Sequence, residues 1–456
     1  MAVSAPAVES AIAFPRLPAK IGSFIRAVLT DDHALLDELS HGFGGPFHLL
    51  FPDQFAANVE AFRAELSERG VDHRVFYAKK ANKAACWVER CAAAGIGVDV
   101  ASLGELREAL SHGVAGPNIG VTGPAKVDDL LRLAILHGCL TAIDSLDELD
   151  RFTELTRVYG RGRILLRCLP TCQPYSRFGL DEAELAEALV RCRNVMPRVK
   201  LEGFSFHLSG YAVQPRADLA AQLLRHCRTA QSFGLPATCV NIGGGFAVSY
   251  VSAQDWARFR ETQSTTHFHA GRCFTEFYPY HAPIANAGML GAILDATPAG
   301  ETHSLGTLLR RDGVTLLLEP GRALLDQAGI TVFRIQGVKS RDYGILTLDG
   351  TSLSLSEQWF NSEFLPDPVV ISRNEQPSGA IPFAACIGGA SCLETDMLTW
   401  RKILFPFRPQ VGDLLVYLNT AGYQMDSNES PFHDLPLPPK VIIDRDGRWR
   451  LDRHRD

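Results

Sequence analysis

The sequence predicts an α/β protein made of a (β/α)8 barrel and a second, mostly β domain. The length of 456 residues and the hydrophobic fraction of 46% allow two or three domains with sizeable cores. Short apolar runs alternate with helical patterns over residues 73–321, as expected for parallel strands covered by helices. After residue 330 the β-like runs are separated by turn residues, which predicts the second domain.

Eight apolar runs predict the strands of the barrel. They are continuous rather than alternating, which is typical of strands buried on both faces. Helical patterns such as LGELREAL and AELAEALVRC lie between them, and eight strand–helix units over about 250 residues match a (β/α)8 barrel. The predicted strands are 73–81, 97–102, 119–123, 141–145, 163–169, 201–208, 239–246 and 314–321.

The domain boundaries follow from where the pattern changes. We assign residues 47–330 to the barrel, and residues 1–46 together with 331–456 to the β-rich domain. The segment FHLLFP is expected to lead from that domain into the barrel. One crossover is unusual, because 72 residues separate Phe246 from Glu319. We expect an insertion at about 250–310, since long loops in compact domains are usually functional or disordered.

Composition excludes several classes of protein. The formal net charge is −6, which argues against nucleic acid or an anionic membrane surface as the main partner. No apolar run approaches the roughly 20 residues needed to span a bilayer, and the N-terminus lacks the pattern of a secretory leader. The 11 cysteines show no paired CxxC motif, so we expect neither a disulfide framework nor a metal site. A reducing cytoplasm is the expected location.

The residues that carry chemistry fall at the predicted strand ends, where barrels carry their function. Lys80 ends the first strand, His207 the sixth, the glycines at 243–245 the seventh, and Glu319 with Arg322 the eighth. A buried lysine needs a partner or a covalent role. Consecutive glycines offer backbone N–H groups to an anion, and arginine pairs with phosphate. The set therefore predicts a phosphorylated cofactor held through a lysine, as pyridoxal phosphate is.

Ten short motifs extend this pattern from about residue 45 to residue 425. They are YAKKAN (77–82), GVDVASLGEL (97–106), TGPAK (122–126), IDSLDEL (143–149), SRFG (176–179), FHLSG (206–210), IGGGF (242–246), EPGR (319–322), GGASCLETD (388–396) and AGY (421–423). In this order the chain resembles the fold type III pyridoxal phosphate-dependent decarboxylases, the family of ornithine and diaminopimelate decarboxylases. The resemblance implies an alanine racemase-like barrel.

The resemblance also implies a role for each matching residue. Lys80 binds the coenzyme as an imine, and the alternation along a strand is expected to send Lys79 to the opposite face. His207 stacks on the coenzyme ring, and Glu319 pairs with its pyridine nitrogen. The residues expected to bind its phosphate are Gly243, Gly244, Gly245, Gly321, Arg322 and Tyr423.

Further residues are expected to act on the substrate. Cys392 matches the catalytic cysteine, which in this family enters the active site of the neighbouring subunit, so the resemblance implies a head-to-tail homodimer with shared active sites. Arg177, within SRFG, is expected near the substrate, which is a small amino acid. The implied reaction is decarboxylation of an L-amino acid through an external aldimine and a quinonoid, with Lys80, His207 and Cys392 as catalytic residues.

Two alternatives remain on the same sequence. One is a pyridoxal phosphate-dependent racemase or epimerase on this scaffold. Alanine racemases place an arginine at the ring nitrogen, so Glu319 favours decarboxylation. The other is a non-catalytic, decarboxylase-like binding protein, but such proteins typically lose the lysine or the cysteine that this chain keeps as Lys80 and Cys392.

The sequence departs from the family at two positions. Leu393 stands where the family has the acid that contacts a distal amine, and a leucine cannot pair with an ammonium group. The alternative is that Glu394 or Asp396 takes this role by a shift of register, although Asp396 already aligns with a separate acid of the family pattern. HLSG replaces the usual HVGS, which displaces Ser209 by one position. We therefore expect a substrate with an acylated or anionic distal end. The ending AGYQMDSNESPFHDLP resembles the branch that includes the citryl-diaminopropionate decarboxylase of siderophore assembly.

The insertion offers residues for that distal end. His267, His269 and Arg272 are expected to face an anionic group on the substrate. The alternative is a solvated loop that only covers the barrel.

Overall fold

The computed structural model describes residues 14–452 except 32, 356–362, 375–379 and 445. Residues 1–13, which form most of the segment tested above for a leader, lie outside the described residues. The chain begins with two helices, α1 (Ser23–Asp31) and α2 (His33–Phe43), and a short strand, β1 (Phe47–Leu50). Ile25 and Leu36 of these helices pack against the buried side chains of β1.

The predicted eight-stranded barrel is confirmed. Its strands are parallel and close in sequential order. Each strand is shorter than its apolar run, because the run continues past the last paired residue into the loop at the carboxyl end. The strands are β2 (His73–Ala78), β3 (Gly97–Val100), β4 (Ile119–Val121), β5 (Leu140–Ile143), β6 (Gly162–Arg167), β7 (Val199–Ser205), β8 (Cys239–Asn241) and β9 (Thr315–Leu318).

Helices cover the outside of the barrel. Ser102, Ser145 and Asp181 each accept a hydrogen bond from the backbone N–H three residues on, which starts the helices that follow them. The helices are α3 (Pro52–Glu68), α4 (Ala85–Ala94), α5 (Leu103–Ser111), α6 (Asp128–His137), α7 (Leu146–Tyr159), α8 (Glu182–Val195), α9 (Val213–Ser232), α10 (Ala253–Thr262), α11 (Asn286–Asp295) and α12 (Leu305–Asp312).

The expected second domain is a sheet with nine strands in the described part of the chain. Its longest strand, Gly329–Ser340, pairs with three other strands of the sheet, namely β1, Gly344–Leu348 and Leu414–Leu418. The other strands are β10 (Gly329–Ser340), β11 (Gly344–Leu348), β12 (Val369–Ile371), β13 (Phe383–Gly388), β14 (Met397–Phe405), β15 (Leu414–Leu418), β16 (Lys440–Ile443) and β17 (Trp449–Leu451).

Two details of the expected boundaries need correction. Strand β1, placed in the barrel by the boundary at residue 47, pairs antiparallel with β10 and parallel with β16 in the second sheet. Residues 23–43, assigned to the β-rich domain, are helical. A run of four buried apolar residues suits a strand of either sheet, and only its pairing partners decide between them.

The insertion at 250–310 is ordered and largely helical. It contains α10, α11 and α12, and its intervening segment buries Phe268, Phe274 and Tyr278 in the main core. Phe268 also forms an isolated antiparallel bridge to Arg401 of β14. The insertion therefore joins the barrel to the second sheet.

The structure also bears on membrane-spanning segments and on the cysteines. No helix among the described residues is long and apolar enough to cross a membrane. All 11 cysteines are free; eight are buried, and Cys172, Cys273 and Cys392 are exposed.

Candidate active site

Lys80 lies at the mouth of the barrel, two residues beyond the end of β2. The residues Lys79–Ala81 form a 3-10 turn, so the chain leaves the sheet before Lys80. Its side chain is 47% exposed, because it borders a cavity, and its Nζ lies 3.9 Å from Oδ2 of Asp99 on β3. Burial alone would lower its pKa, but the charge of Asp99, followed by those of Tyr423 and Glu319, outweighs burial and raises the pKa.

The neighbouring Lys79 has a different environment. Its side chain is 1% exposed, and its Nζ lies 2.6 Å from Oε2 of Glu108 on α5. The two lysines are separated as expected, but for another reason than strand alternation. In a 3-10 turn, successive side chains are rotated by about 120°, so only Lys80 lines the cavity.

Asp99 is an acid that the sequence interpretation did not single out. It is buried, and it accepts a hydrogen bond from Oγ1 of Thr122 at 2.7 Å. Burial first, and the charge of Glu319 second, raise the pKa of its carboxyl to about 8. Such a carboxyl can hold or release a proton near neutral pH.

One cavity of about 420 Å³ collects most of the predicted cofactor residues. The loops after β2, β7, β8 and β9 form it, together with Tyr278 and Pro279 of the insertion and Tyr423, which follows β15 of the second sheet. Gly243 does not line the cavity; its N–H donates to Oδ1 of Asn241 at 2.8 Å. The predicted residues that line it are Lys80, His207, Gly244, Gly245, Glu319, Gly321, Arg322 and Tyr423.

Glu319 sits at the base of the cavity, immediately after β9. Nδ2 of Asn241, the last residue of β8, donates to Oε1 of Glu319 at 2.6 Å. Both residues are buried. An amide donor held this close orients the carboxylate, so Glu319 presents its remaining acceptor sites to the cavity.

The glycine loop (residues 242–246) forms one wall of the cavity. Gly245 has φ of +79°, which disfavours any side chain. A Cβ at Gly244 would lie 2.6 Å from the carbonyl oxygen of Glu319. Within the described residues no acceptor pairs with the N–H of Gly244 or Gly245, so both groups remain available to an anion.

Arg322 and Tyr423 also line the cavity. Nη1 of Arg322 donates to the hydroxyl of Tyr250 at 3.1 Å. Its guanidinium also lies over two aromatic rings, 4.2 Å from the centroid of Tyr278 and 4.7 Å from that of Tyr423. These contacts hold the guanidinium at the cavity.

His207 lies between the main cavity and a smaller one. Burial first, and the positive charges of Lys80 and Arg167 next, lower its pKa to about 3. The imidazole is therefore neutral at physiological pH and can present its face to an aromatic ring. The smaller cavity, of about 180 Å³, extends from His207 towards Thr122 and Arg167.

Arg177 lies in the loop that follows β6. It lines an open cleft of about 560 Å³, which meets the cavity at His207 and Ser209. Its guanidinium lies 4.2 Å from the ring centroid of Phe178. The predicted substrate residue is thus at the entrance and does not contact Lys80.

The Cys392 loop (residues 389–396) lies apart from this cavity. Cys392 and Leu393 are exposed, and neither lines the cavity of its own chain. Sγ of Cys392 lies 3.2 Å from Nε2 of His433. Asp396, considered above as part of the family pattern, is buried and accepts backbone hydrogen bonds from Ser352 and Ser391. Its carboxylate therefore holds the loop in place.

The three insertion residues also lie outside this chain's cavity. His267 is buried and accepts a hydrogen bond from the N–H of Ser264. Nδ1 of His269 lies 2.8 Å from the Tyr343 hydroxyl, and Arg272 stacks 4.2 Å over the ring of Trp400.

This cluster lies beside the Cys392 loop. Burial lowers the pKa of His269, and the charge of Glu394 acts in the opposite direction, so Glu394 of the Cys392 loop lies near His269. The insertion is therefore close to the Cys392 loop at this point.

Several residues of the site were missed from the sequence. Asp99 and Asn241 each lie in a predicted strand, as a polar residue within an apolar run. That position was the available signal, because a buried polar group needs a partner. Arg216, treated below, gave no such signal, since it lies in a polar helical stretch.

No group of three or more His, Cys, Asp and Glu side chains in the described part of the chain has the arrangement of a metal site. The cavity itself brings together Lys80, Glu319 and Arg322.

Comparison with known proteins agrees with this geometry. Residues 53–281 match the family model "pyridoxal-dependent decarboxylase, pyridoxal binding domain". An uncharacterized protein, y4yA, of Sinorhizobium fredii is 37% identical over 95% of this chain and 96% of its own length. Diaminopimelate decarboxylase of Staphylococcus aureus is 24% identical over 92% of this chain and 94% of its own length.

The fold is shared with solved structures. Diaminopimelate decarboxylase of M. jannaschii in complex with L-lysine aligns with a TM-score of 0.72 and 20% identity. The alignment covers 92% of each chain.

Proposed function

The chain belongs to the pyridoxal-dependent decarboxylases, and from that premise we propose that it removes the α-carboxylate of an L-amino acid whose distal end is acylated or anionic. Members of the family are carboxy-lyases that use pyridoxal phosphate. The observation that carries the reaction is the single cavity shared by Lys80, Glu319 and Arg322. It places an amine, an acid and an anion-binding group within reach of one molecule.

The cavity fits the coenzyme of the family. The glycine loop has no room for a Cβ at Gly244, and it leaves two N–H groups without acceptors among the described residues. The coenzyme phosphate would bind there and to Arg322 and Tyr423. Lys80 would hold the coenzyme covalently, and Glu319 would pair with its pyridine nitrogen.

When bound, pyridoxal phosphate supplies an electron sink for the bond to the leaving carboxylate. Glu319 would favour a proton on the ring nitrogen, because a nearby negative charge favours the cationic form. An acid at this position favours decarboxylation over racemisation. His207, neutral and buried, would face the ring and exclude water from it.

Cys392 is the proposed donor of the proton that replaces the carboxylate at the α-carbon. It is exposed and lies outside the cavity of its own chain, so a second copy of the chain would supply it. This arrangement gives a homodimer with two shared sites. Arg177 lies at the cleft through which a substrate would enter.

The substrate class is inferred from what accompanies Cys392. Leu393 is 51% exposed on the same loop, and it would meet the distal end of the substrate without a charge to offer an ammonium group. Arg272 lies on the adjoining surface, stacked on Trp400, and none of the described acids forms an ion pair with it. An acyl or carboxylate group fits this surface better than a free amine.

A carbon dioxide release assay on the coenzyme-loaded protein tests the proposal. The panel is L-lysine, L-ornithine, meso-diaminopimelate, Nε-acetyl-L-lysine and Nε-succinyl-L-lysine. We expect the succinyl and acetyl conjugates to be turned over faster than the free diamino acids. Faster turnover of free lysine or ornithine than of either conjugate would reject the substrate class. Exchange of the α-proton without release of carbon dioxide would reject decarboxylation.

A further inference from the structure

Arg216 is a buried cation directly behind the glycine loop. It lies in the first turn of α9 and is 0% exposed. Nη2 donates to the carbonyl oxygens of Leu208 at 3.3 Å, Gly210 at 3.0 Å and Gly245 at 3.3 Å. Nη1 donates to the carbonyl oxygen of Ile242 at 3.2 Å. One guanidinium therefore ties the loop after β7 to the loop after β8.

The second fully buried arginine of the described residues provides a contrast. Arg401 also donates to carbonyl oxygens, those of Pro15 and Leu365, and it forms an ion pair with Asp367. Arg216 has no such acid among the described residues. Burial lowers its pKa to about 10, opposed only by Tyr211. A buried charge without a counter-ion is costly, so this position calls for an anion.

The cavity on the other side of the glycine loop from Arg216 offers a position for this anion. Leu208, Gly210 and Gly245, whose carbonyls hold Arg216, also line the large cavity. A Cβ at Gly245 would lie 2.6 Å from Nη2 of Arg216, so the backbone alone separates the guanidinium from the cavity. HLSG, which departs from the family pattern, is the loop that Arg216 holds.

We propose that Arg216 is a positioning residue for the coenzyme phosphate, which serves as its counter-charge across the glycine loop. Its hydrogen bonds fix the two loops, and its positive charge adds to that of Arg322 on the cavity side. This inference rests on the assignment of the glycine loop to the phosphate. It goes beyond that assignment by giving a role to a residue that does not touch the coenzyme.

Binding measurements on the full-length protein after removal of the coenzyme test this role. The probes are inorganic phosphate, pyridoxal phosphate and pyridoxal, followed by thermal shift and by absorbance. Arg216→Met is expected to weaken the binding of inorganic phosphate and of pyridoxal phosphate about tenfold, because one unit of positive charge is lost behind the glycine loop. Pyridoxal, which lacks the phosphate, should bind as it does to the wild type. Arg216→Lys keeps the charge and should restore most of the affinity.

Matched controls separate this role from a structural one. Arg401→Met should lower thermal stability equally with and without phosphate, because the counter-ion of Arg401 belongs to the protein. Three results would overturn the proposal. They are an equal loss of thermal stability in Arg216→Met with and without phosphate, an unchanged affinity of Arg216→Met for phosphate, and failure of both Arg216→Met and Arg216→Gln to fold in saturating phosphate. Arg322→Met distinguishes failure of this proposal from failure of the proposed function. If Arg322→Met also leaves phosphate binding unchanged, the assignment of the glycine loop and Arg322 to the phosphate fails.

Discussion

The mouth of the barrel and the Cys392 loop differ in how much of their environment one chain supplies. At the mouth, Lys80 has Asp99 beside it, Glu319 is held by Asn241, and a wall of glycines closes the space. The Cys392 loop is held firmly by Asp396, yet its reactive thiol and Leu393 face outward. One chain therefore encloses the cavity at the mouth of the barrel, whereas it leaves the Cys392 loop exposed on its surface.

This difference indicates that the groups for coenzyme binding and the groups proposed for substrate selection lie in separate regions. Most of the groups that would hold the coenzyme come from strand ends of one barrel, where their geometry is rigid, and Tyr423 joins them from the loop after β15. The groups proposed to donate a proton and to select the substrate lie on the second sheet and the insertion. Substrate choice can therefore change on that surface while the cavity stays the same. The predictions below test this separation.

Replacement of Lys80 should have the largest effect. Lys80→Ala is expected to lose the coenzyme absorbance band and to lower kcat/KM at least about 10³-fold, since it removes the covalent attachment. Lys79→Met is the matched control; it should keep the band and lower the melting temperature, because it removes the buried lysine's ion pair with Glu108. A Lys80→Ala protein that retains a borohydride-reducible band would show that the lysine is wrongly assigned.

Mixing two inactive variants tests whether the regions meet across subunits. Lys80→Ala and Cys392→Ala each remove one half of the site. If the dimer shares its sites, random reassortment yields mixed dimers with one intact site, and activity should recover to about a quarter of the wild type. The measurement is carbon dioxide release after denaturation and refolding of the mixture. Recovery no greater than the sum of the two variants would place Cys392 and Lys80 in independent sites.

Substitution of Leu393 should alter selectivity more than rate. Leu393→Asp adds a carboxylate that can pair with a distal ammonium group, so the ratio of kcat/KM for L-lysine to that for Nε-succinyl-L-lysine should rise at least about tenfold. Leu393→Ala controls for the loss of the side chain and should move both values together. An unchanged ratio in Leu393→Asp would remove Leu393 from the substrate contact.

The smallest effect concerns the dependence of stability on pH. In the folded protein, burial lowers the pKa of His207 to about 3 from its ordinary value of 6.5. The unfolded chain therefore binds more protons between these values, and the contribution of His207 to stability is lost as pH falls from about 6.5 towards 3. His207→Phe should reduce the drop in melting temperature between pH 7.5 and pH 5 by a few degrees.

Thermal unfolding at several pH values checks this prediction. His137→Gln, at an exposed position on α6, should leave the pH dependence as in the wild type. The same slope in His207→Phe and the wild type would contradict the buried, neutral histidine.

Much of the cavity was predictable because its residues follow strands. Strand ends of a parallel barrel converge, so the order of Lys80, His207, the glycine loop and Glu319 along the chain already placed them together. Asp99 and Asn241 were missed, although a polar residue within an apolar run was a usable signal. The insertion residues His267, His269 and Arg272 were expected at the substrate. Their distance from this chain's cavity depends on packing against the second sheet, which periodicity does not encode.

The sequence by itself determined the barrel, the second sheet, the family and most of the predicted residues that line the cavity, because these depend on local periodicity and on motifs at strand ends. The tertiary structure decided which sheet β1 joins, that a 3-10 turn selects Lys80 over Lys79, and that Arg216 lies behind the glycine loop with no acid paired to it among the described residues. These outcomes depend on contacts between segments far apart in the chain. Pairing and charge compensation across such distances are set only when the elements pack.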